Sequence, residues 1–522
     1  MCGNRGNILR KHNGGRKGSQ STDPEFTEAL YEDKSSHSSS DRQAERKTQQ
    51  FCRQVQRALN LALADRNVGD GIDDLFVEEV VPAPDCGHLL VHVVIPAGLS
   101  VVDAMAALGR GAPGLRSEVA SAISRKRAPE LCFIPAYQDG GFAMSDTSMP
   151  AIRKWLAAPM GHEVSEALER LRRAPDVQQI AVMPDVHLAA DVCIGVVVAT
   201  SHLIYPQAVG GDIGCGMLAV ALGVDATTLH APKVAGQVLA ELGHAVPARR
   251  RNRRLVIPQP EGVANDRLSH PVLDSVRRKE GETEFATLGS GNHFVEIQAD
   301  EDARLWLMVH SGSRALGQAI RDHHLSRAQS VDNRLRALDA KSDAGLDYLH
   351  DASCARRFAD ASRRAIAGEV GRLLSSKLGA RVDWDTVITT DHNHVSFEQH
   401  GGSDLWVHRK GAMSARLGES GVLPGSMGSL SFHVEGRGCE EALCSSAHGA
   451  GRVLSRTAAR RQVTERALRQ QMEGIWYDSR KTDGLRDEAP SAYKDIRAVL
   501  RAQKDMVKVT RTLRPVLNYK GL

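Results

Sequence analysis

The stretch Val-Gly-Gly-Asp-Ile-Gly-Cys-Gly-Met at 209–217 leaves the chain little freedom. It sets a carboxylate, Asp212, and a thiol, Cys215, three residues apart among Gly210, Gly211, Gly214 and Gly216. Glycine permits tight turns and close backbone approach. A carboxylate and a thiolate held on one turn suit a borderline or soft divalent ion. By itself the stretch reads equally well as a glycine-rich turn around a buried cysteine. Histidines further along shift the balance. They stand in Gly291-Asn292-His293-Phe294, Val309-His310-Ser311, Asp391-His392-Asn393-His394 and Ala447-His448-Gly449-Ala450-Gly451. His310 follows the apolar run Leu305-Trp306-Leu307-Met308-Val309, which places it at a strand end. One such histidine is more often a structural hydrogen-bonder. Several of them, with Asp212 and Cys215, point to an assembled metal site.

The chain has 522 residues, more than one core usually carries, so two or more domains are expected. Hydrophobic residues make up 42% and aromatics only 4%, so packing must rest on Val, Leu, Ala and Ile. A net charge of +4 is compatible with nucleic acid but does not argue for it. Nine cysteines, an odd number, are scattered without a paired framework. No signal-peptide pattern stands at the start, and no apolar run nears the ~18 residues of a membrane helix. A reduced, cytoplasmic setting is therefore expected, with no membrane partner and with Cys215 free to act as a ligand.

Residues 1–45 are polar, with the low-complexity run Ser35-Ser36-His37-Ser38-Ser39-Ser40, and read as a disordered tail. A helix is expected over 46–66, with Val55, Leu59, Leu61 and Leu63 as its apolar side. Strands follow at 75–81 and 89–95, with Pro82, Pro84, Asp85 and Gly87 in the turn between them. Helices at 101–109 and 115–125 are split by Gly111-Ala112-Pro113-Gly114, and a last strand is 131–134. The resulting αββααβ order over 46–137 is that of a type II KH-like domain. Gly114-Leu115-Arg116, Arg125 and Arg127-Ala128-Pro129-Glu130-Leu131-Cys132-Phe133 resemble ribosome-binding factor A. That resemblance implies a ribosomal RNA or small-subunit partner. Gly111 and Gly114 have the spacing of a GxxG backbone clamp, and equally that of an ordinary helix–helix turn. Arg116, Arg125, Lys126 and Arg127 fit either rRNA phosphates or a solvated helix face.

Residues 138–150 read as a linker, and 151–522 as the second domain. A helix is expected at 162–173 and a short buried strand at 180–183, ending in Pro184-Asp185-Val186-His187. The charged stretches 266–284 and 313–375 look helical and peripheral. Arg249-Arg250-Arg251-Asn252-Arg253-Arg254 is the sharpest basic cluster, suited to RNA phosphate or to a solvated loop.

Eight motifs come in order: MPDVH at 183–187, VGGDIGCGM at 209–217, LGSGNHFVE at 288–296, MVHSGSR at 308–314, HRKGA at 408–412, PGSMG at 424–428, HGAGRVLSR at 448–456 and EAPSAYKDI at 488–496. Together they closely resemble the RtcB-type RNA-splicing ligases, over about residues 145–522. The resemblance implies an α/β (α+β) fold with a central mixed β architecture. It implies that Asp212, Cys215, His293, His310 and His392 bind two Mn²⁺ ions bridged by Cys215, one ion adding His293 and His310, the other Asp212 and His392. His448 would be the catalytic nucleophile. GTP would be held by Asn292, His293, Phe294, Val295, Glu296, His392, Asn393, Pro424, Gly425, Ser426, Met427, Ser431, His448, Gly449, Ala450, Gly451 and Lys520, with Glu296 and Lys520 on the guanine. Tyr493 would pack near the nucleotide. Arg314, Arg409, Lys410 and Arg452 are phosphate-binding candidates, and Arg456 a structural one.

The implied reaction joins an RNA 3′-phosphate or 2′,3′-cyclic phosphate end to a 5′-hydroxyl end through a histidine–GMP intermediate; DNA is not an expected partner. Two departures stand out. Ala189-Ala190-Asp191 replaces the commoner Gly-Lys-Gly after the MPDVHL segment, and Asp391-His392-Asn393-His394 replaces His-His-Asn, leaving His394 as a competitor of His392. The other reading is a non-enzymatic ribosome maturation factor that uses the ligase-like part as an RNA-binding platform.

Overall fold

The computed structural model describes residues 39–63, 75–82, 88–95, 101–123, 129–136, 149–331 and 334–521. The tail to residue 38, the turn at 83–87, Arg125, Lys126 and Arg127, and the expected linker up to residue 148 lie outside them. The chain divides into two compact units, 1–147 and 148–522. Among the described residues no helix is long and apolar enough to cross a membrane.

In the first unit, helix α1 (Ser39–Leu63) is followed by strands β1 (Phe76–Pro82) and β2 (His88–Val94), helix α2 (Val101–Ala122) and strand β3 (Glu130–Ala136). β2 lies at the centre of the sheet, antiparallel to β1 and parallel to β3. Val55, Leu59, Ala62 and Leu63 of α1 pack on Val77, Leu89, Val91 and Val93. Leu61, expected on that face, is 75% exposed, because two residues along a helix turn a side chain away from the core.

The two helices expected at 101–109 and 115–125 form one. Ala104, Ala107, Leu108, Leu115, Val119 and Ile123 recur at helical spacing and share one buried face. Burial of that stripe holds the helix together through Pro113, which stands on its exposed side. Gly111 and Gly114 are helical, so they form neither a GxxG clamp nor a helix–helix turn. The order is αββαβ. Arg116 stands 3.9 Å from Glu130.

The second unit is built on two larger sheets. Seven strands run in the order 382–391, 216–225, 304–311, 294–299, 507–520, 431–436, 420–423. Five run in the order 393–400, 403–410, 194–200, 177–187, 151–154. Alternation along Gly216–Asp225 sends Leu218, Val220 and Leu222 into one core and Met217, Ala219 and Ala221 into another, so both faces of that strand are buried. Helix His162–Arg172 and strand Val177–His187 fall where the sequence places them.

The stretch 313–375 contains helix Ala315–Arg327 and most of the 36-residue helix Asp343–Leu378. The long helix is not peripheral. Tyr348, Phe358, Ile366 and Val370 pack on Val220, Val309 and Ile297 of the seven-stranded sheet. Its Arg363 is fully buried and donates to the carbonyls of Gly214 (2.7 Å) and Ser311 (2.9 Å). The charged residues that suggested a surface helix belong to its outer side.

Candidate functional site

Antiparallel pairing brings four loop and strand ends together. His392 directly follows strand Val382–Asp391, and Cys215 directly precedes strand Gly216–Asp225. His310 nears the end of strand Arg304–Ser311, and His293 directly precedes strand Phe294–Ala299. These strands are successive neighbours, with Asp391 opposite Gly216 and His310 opposite both Met217 and Phe294. All four groups therefore emerge at the same end of the sheet. A side chain at Gly216 would meet the Thr390 carbonyl at 2.0 Å, so only glycine lets the two strands close here.

Two triads share Cys215. One is Asp212, Cys215 and His293, the other Cys215, His310 and His392, with the ligating atoms of each within 4.8 Å of one another. The two groups overlap at Cys215, and both His293 Nε2 and His310 Nε2 lie beside its sulfur, at 3.4 and 3.2 Å. His394, the competitor, is occupied elsewhere. Its Nδ1 is 3.0 Å from Asp391, and its Nε2 accepts from Arg409 at 3.3 Å.

The donor set has the chemistry of a divalent-cation site. His293 Nδ1 donates to the Leu288 carbonyl (3.0 Å), and His310 Nδ1 donates to the Asn292 carbonyl (3.2 Å). Those bonds leave each Nε2 with a lone pair. His293 Nε2 then faces Asp212 Oδ2 at 3.0 Å and Cys215 Sγ at 3.4 Å, and His310 Nε2 faces Cys215 Sγ at 3.2 Å. With only the thiol proton to share among them, these lone pairs are what a cation would satisfy. The buried Asp212 Oδ1 has no hydrogen-bond partner. Burial drives the imidazoles of His310 and His392 well below their ordinary range, so both are neutral. Burial pushes the Cys215 thiol well up, and the neighbouring Asp212 carboxylate adds to it, so metal binding must displace the thiol proton. The residues fit the group.

His448 follows strand Ser445–Ala447, and its ring lies 4.6 Å from that of His392. Its Nδ1 is 2.7 Å from Oδ2 of the fully buried Asp185. Asp185 is braced by Lys494, which donates to the carbonyls of Pro184 (2.9 Å) and Val186 (2.8 Å). Gly451 has φ +69°, and a side chain there would meet the Asp185 carbonyl at 2.2 Å. The glycines after His448 thus allow two segments to touch.

A cavity of about 720 Å³ opens beside His448, within the size range of small-molecule sites. Of the expected contacts, Asn292, Phe294, Glu296, Pro424, Gly425, Ser426, Met427, Ser431, His448, Gly449, Ala450, Gly451 and Lys520 line it, as do His310, Tyr493 and Arg452. Lys520 is paired with Phe294 across the strands and bonds Glu488 at 2.5 Å. Glu488 also takes Arg456 (2.8 Å) and the Tyr493 hydroxyl (2.8 Å). Burial raises the Glu296 carboxyl to about 7, although the side-chain amides of Asn518 and Gln298 donate to it.

Val295, Asn393 and Arg409 lie outside the cavity lining. Val295 alternates with Phe294 and Glu296, so its side chain enters the core instead of the cavity. Asn393 is spent on the backbone, donating to the Asp212 carbonyl (3.1 Å) and accepting from Gly411 N–H (2.9 Å). It braces the metal-ligand turn. Arg409 is fully buried on Glu398, Ser445 and the Leu443 carbonyl, and has no face left for phosphate. Lys410 is largely buried, and burial lowers it to about 8. In the arginine run, Arg250 pairs with Glu280 and Glu284, and Arg251 donates to the carbonyls of Ala245 and Ala286. Protein groups therefore neutralise part of it, leaving Arg249 and Arg254 exposed. Asp185, Glu488, Lys494 and Asn518 were missed as site residues. The first three stand inside or beside the quoted motifs, which was the available signal.

Comparison with known proteins defines the class first. The family described as "tRNA-splicing ligase RtcB" matches residues 167–521. The RNA-splicing ligase RtcB of Escherichia coli K12 is 35% identical over 416 residues, covering 73% of this chain and all of that protein. The RtcB of Mycobacterium tuberculosis is 28% identical, covering 65% of this chain and 96% of that protein. The tRNA-splicing ligase RtcB of Archaeoglobus fulgidus is 27% identical, covering 74% and 95%. The chain therefore belongs to the RtcB family of RNA ligases. A solved structure, ribosome-binding factor A from Thermus thermophilus, aligns at 28% identity with a TM-score of 0.15, covering 17% of this chain and 93% of that one.

Proposed function

We propose that this chain, an RNA ligase by family, joins RNA 3′-phosphate or 2′,3′-cyclic phosphate ends to 5′-hydroxyl ends through a GMP carried on His448. The observation that carries the reading is the position of His448: one ring nitrogen is anchored on buried Asp185, and the ring lies between the thiolate-centred triads and the cavity holding Glu296 and Lys520. With the proton kept on Nδ1 facing the Asp185 carboxylate, the Nε2 lone pair would attack the α-phosphate of GTP. Pyrophosphate leaves, and the nucleotide is held as a phosphoramidate. A 2′,3′-cyclic end is first opened by water to a 3′-phosphate and a 2′-hydroxyl; a 3′-phosphate oxygen then displaces His448 from the phosphorus, and the 5′-hydroxyl of the second strand displaces GMP.

Asp212, Cys215, His293, His310 and His392 would hold Mn²⁺, whose chemistry when bound is to neutralise phosphate charge and polarise phosphoryl oxygens. Glu296 would accept from the guanine N–H groups, and Lys520 would donate to its carbonyl. The identity of the metal rests on family resemblance, since imidazole and thiolate also suit Zn²⁺. Direction to ribosomal RNA is part of the proposal only through the sequence motifs of residues 114–133. Full-length protein binding small subunits no better than residues 148–522 alone would remove that part.

The reading is tested by incubating protein with Mn²⁺ and GTP labelled at the α-phosphate, with His448→Ala alongside. A covalent, acid-labile label in the wild type and none in the variant is the expected result. Equal labelling of both would assign the nucleophile elsewhere.

A further inference from the structure

We propose that His400, Glu440 and Cys444 form a third metal site, for Zn²⁺ or a similar borderline divalent ion, separate from the Cys215 triads. His400 ends strand Asn393–His400, Glu440 opens a short 3₁₀ turn, and Cys444 follows that turn. One ligating atom from each lies within 4.8 Å of the others. Glu440 reaches His400 Nδ1 at 3.0 Å with one oxygen and Cys444 Sγ at 3.3 Å with the other.

The histidine is oriented from behind. Its Nε2 lies 3.1 Å from Glu398, which is itself clamped by buried Arg409. Both ring nitrogens face carboxylates, so without an ion the ring carries a proton on each; an ion would displace the Nδ1 proton while Glu398 keeps the Nε2 proton and the ring's orientation, as a carboxylate does behind most metal-bound histidines. Leu443 and Cys444 are both non-glycine residues in the left-handed region, at φ +52° and +44°. Such strain persists where surrounding structure imposes it, and here it turns Cys444 back toward Glu440.

Imidazole, carboxylate and thiolate form a three-ligand zinc set, with water as the fourth ligand on the solvent side, where Glu440 is exposed. Binding would release two protons to solvent, one from the Cys444 thiol and one from His400 Nδ1, with no change of oxidation state. The ion would staple the end of one strand to the turn that enters Ser445–Ala447, three residues ahead of His448. The proposal does not depend on the ligase reading.

Full-length Cys215→Ala protein, which lacks the thiolate shared by the two triads, is loaded with Zn²⁺ or Co²⁺ and desalted. It is expected to keep about one equivalent of zinc and a cobalt–thiolate charge-transfer band. Adding Glu440→Gln or Cys444→Ser should remove both while circular dichroism is unchanged. In the wild-type background the same substitutions should lower bound zinc by about one equivalent, which keeps the test valid if Cys215→Ala fails to fold. No zinc in folded Cys215→Ala protein, or zinc indifferent to Glu440→Gln and Cys444→Ser, overturns the site.

Discussion

The two ends of the candidate site handle charge in opposite ways. At the Cys215 end, acceptors outnumber donors: His293 Nε2 looks at Asp212 and at the Cys215 thiol, and Asp212 Oδ1 has no partner. At the cavity end the charges are already paired, Lys520 and Arg456 on Glu488, with the Tyr493 hydroxyl beside them. The first end needs a cation to settle its electrostatics. The second is settled without a ligand, so a nucleotide there must compete with internal pairs. A site built this way should lose metal and lose nucleotide through separate substitutions.

Cys215→Ala should break that separation most severely. Removal of the shared thiolate is expected to empty both triads and to cut GMP transfer by about a thousandfold or more. Metal analysis alongside the labelling assay checks it; transfer that survives without metal would remove the cation from the account. Lys520→Met should sharpen the contrast. Glu488 keeps Arg456 and Tyr493, so the fold and metal content should hold, while GTP binding weakens about ten- to a hundredfold. Loss of metal in this variant would show that the two ends are one electrostatic unit.

The smallest expected effect is a pH dependence at Glu296. Its carboxyl is raised to about 7 by burial, so between its ordinary value and 7 the folded protein holds a proton that the unfolded chain has lost. Stability contributed by this group is therefore full at acid pH and declines as pH rises toward 7. Guanine N–H donors favour the ionised form, so GTP affinity should rise with pH through the same value, about tenfold from about pH 6 to 8. Calorimetric titration of wild type and Glu296→Gln tests this, and a slope that survives in Glu296→Gln assigns it to another group.

The same contrast governs what the sequence discloses. Asp212, Cys215, His293, His310, His392 and His448 stand in glycine-rich segments whose local chemistry is readable one motif at a time. Their convergence at one end of a sheet is set by the order of strands 382–391, 216–225, 304–311 and 294–299, which no single motif displays. Glu488 and Asp185 are ordinary acids until the fold sets them beside Lys520 and His448. Arg409 reads as a phosphate ligand until Glu398 is seen beneath it. In the first unit, turn residues at 111–114 predicted a break that the buried stripe from Ala104 to Ile123 overrides. Local composition loses there to tertiary packing.

Strand Val507–Lys520 lies between 294–299 and 431–436, pairing Lys520 with Phe294. The four strands that carry the metal ligands pair among themselves without it. Contacts that close a long loop form late, because chain entropy is spent before they stabilise anything. The pairing of 216–225 with 382–391 closes a long loop as well, so both halves of the site rest on distant contacts. Leu517 and Tyr519 of the last strand join the core under the metal-ligand strands, so the strand that carries Lys520 to the cavity also supports the cation end from behind.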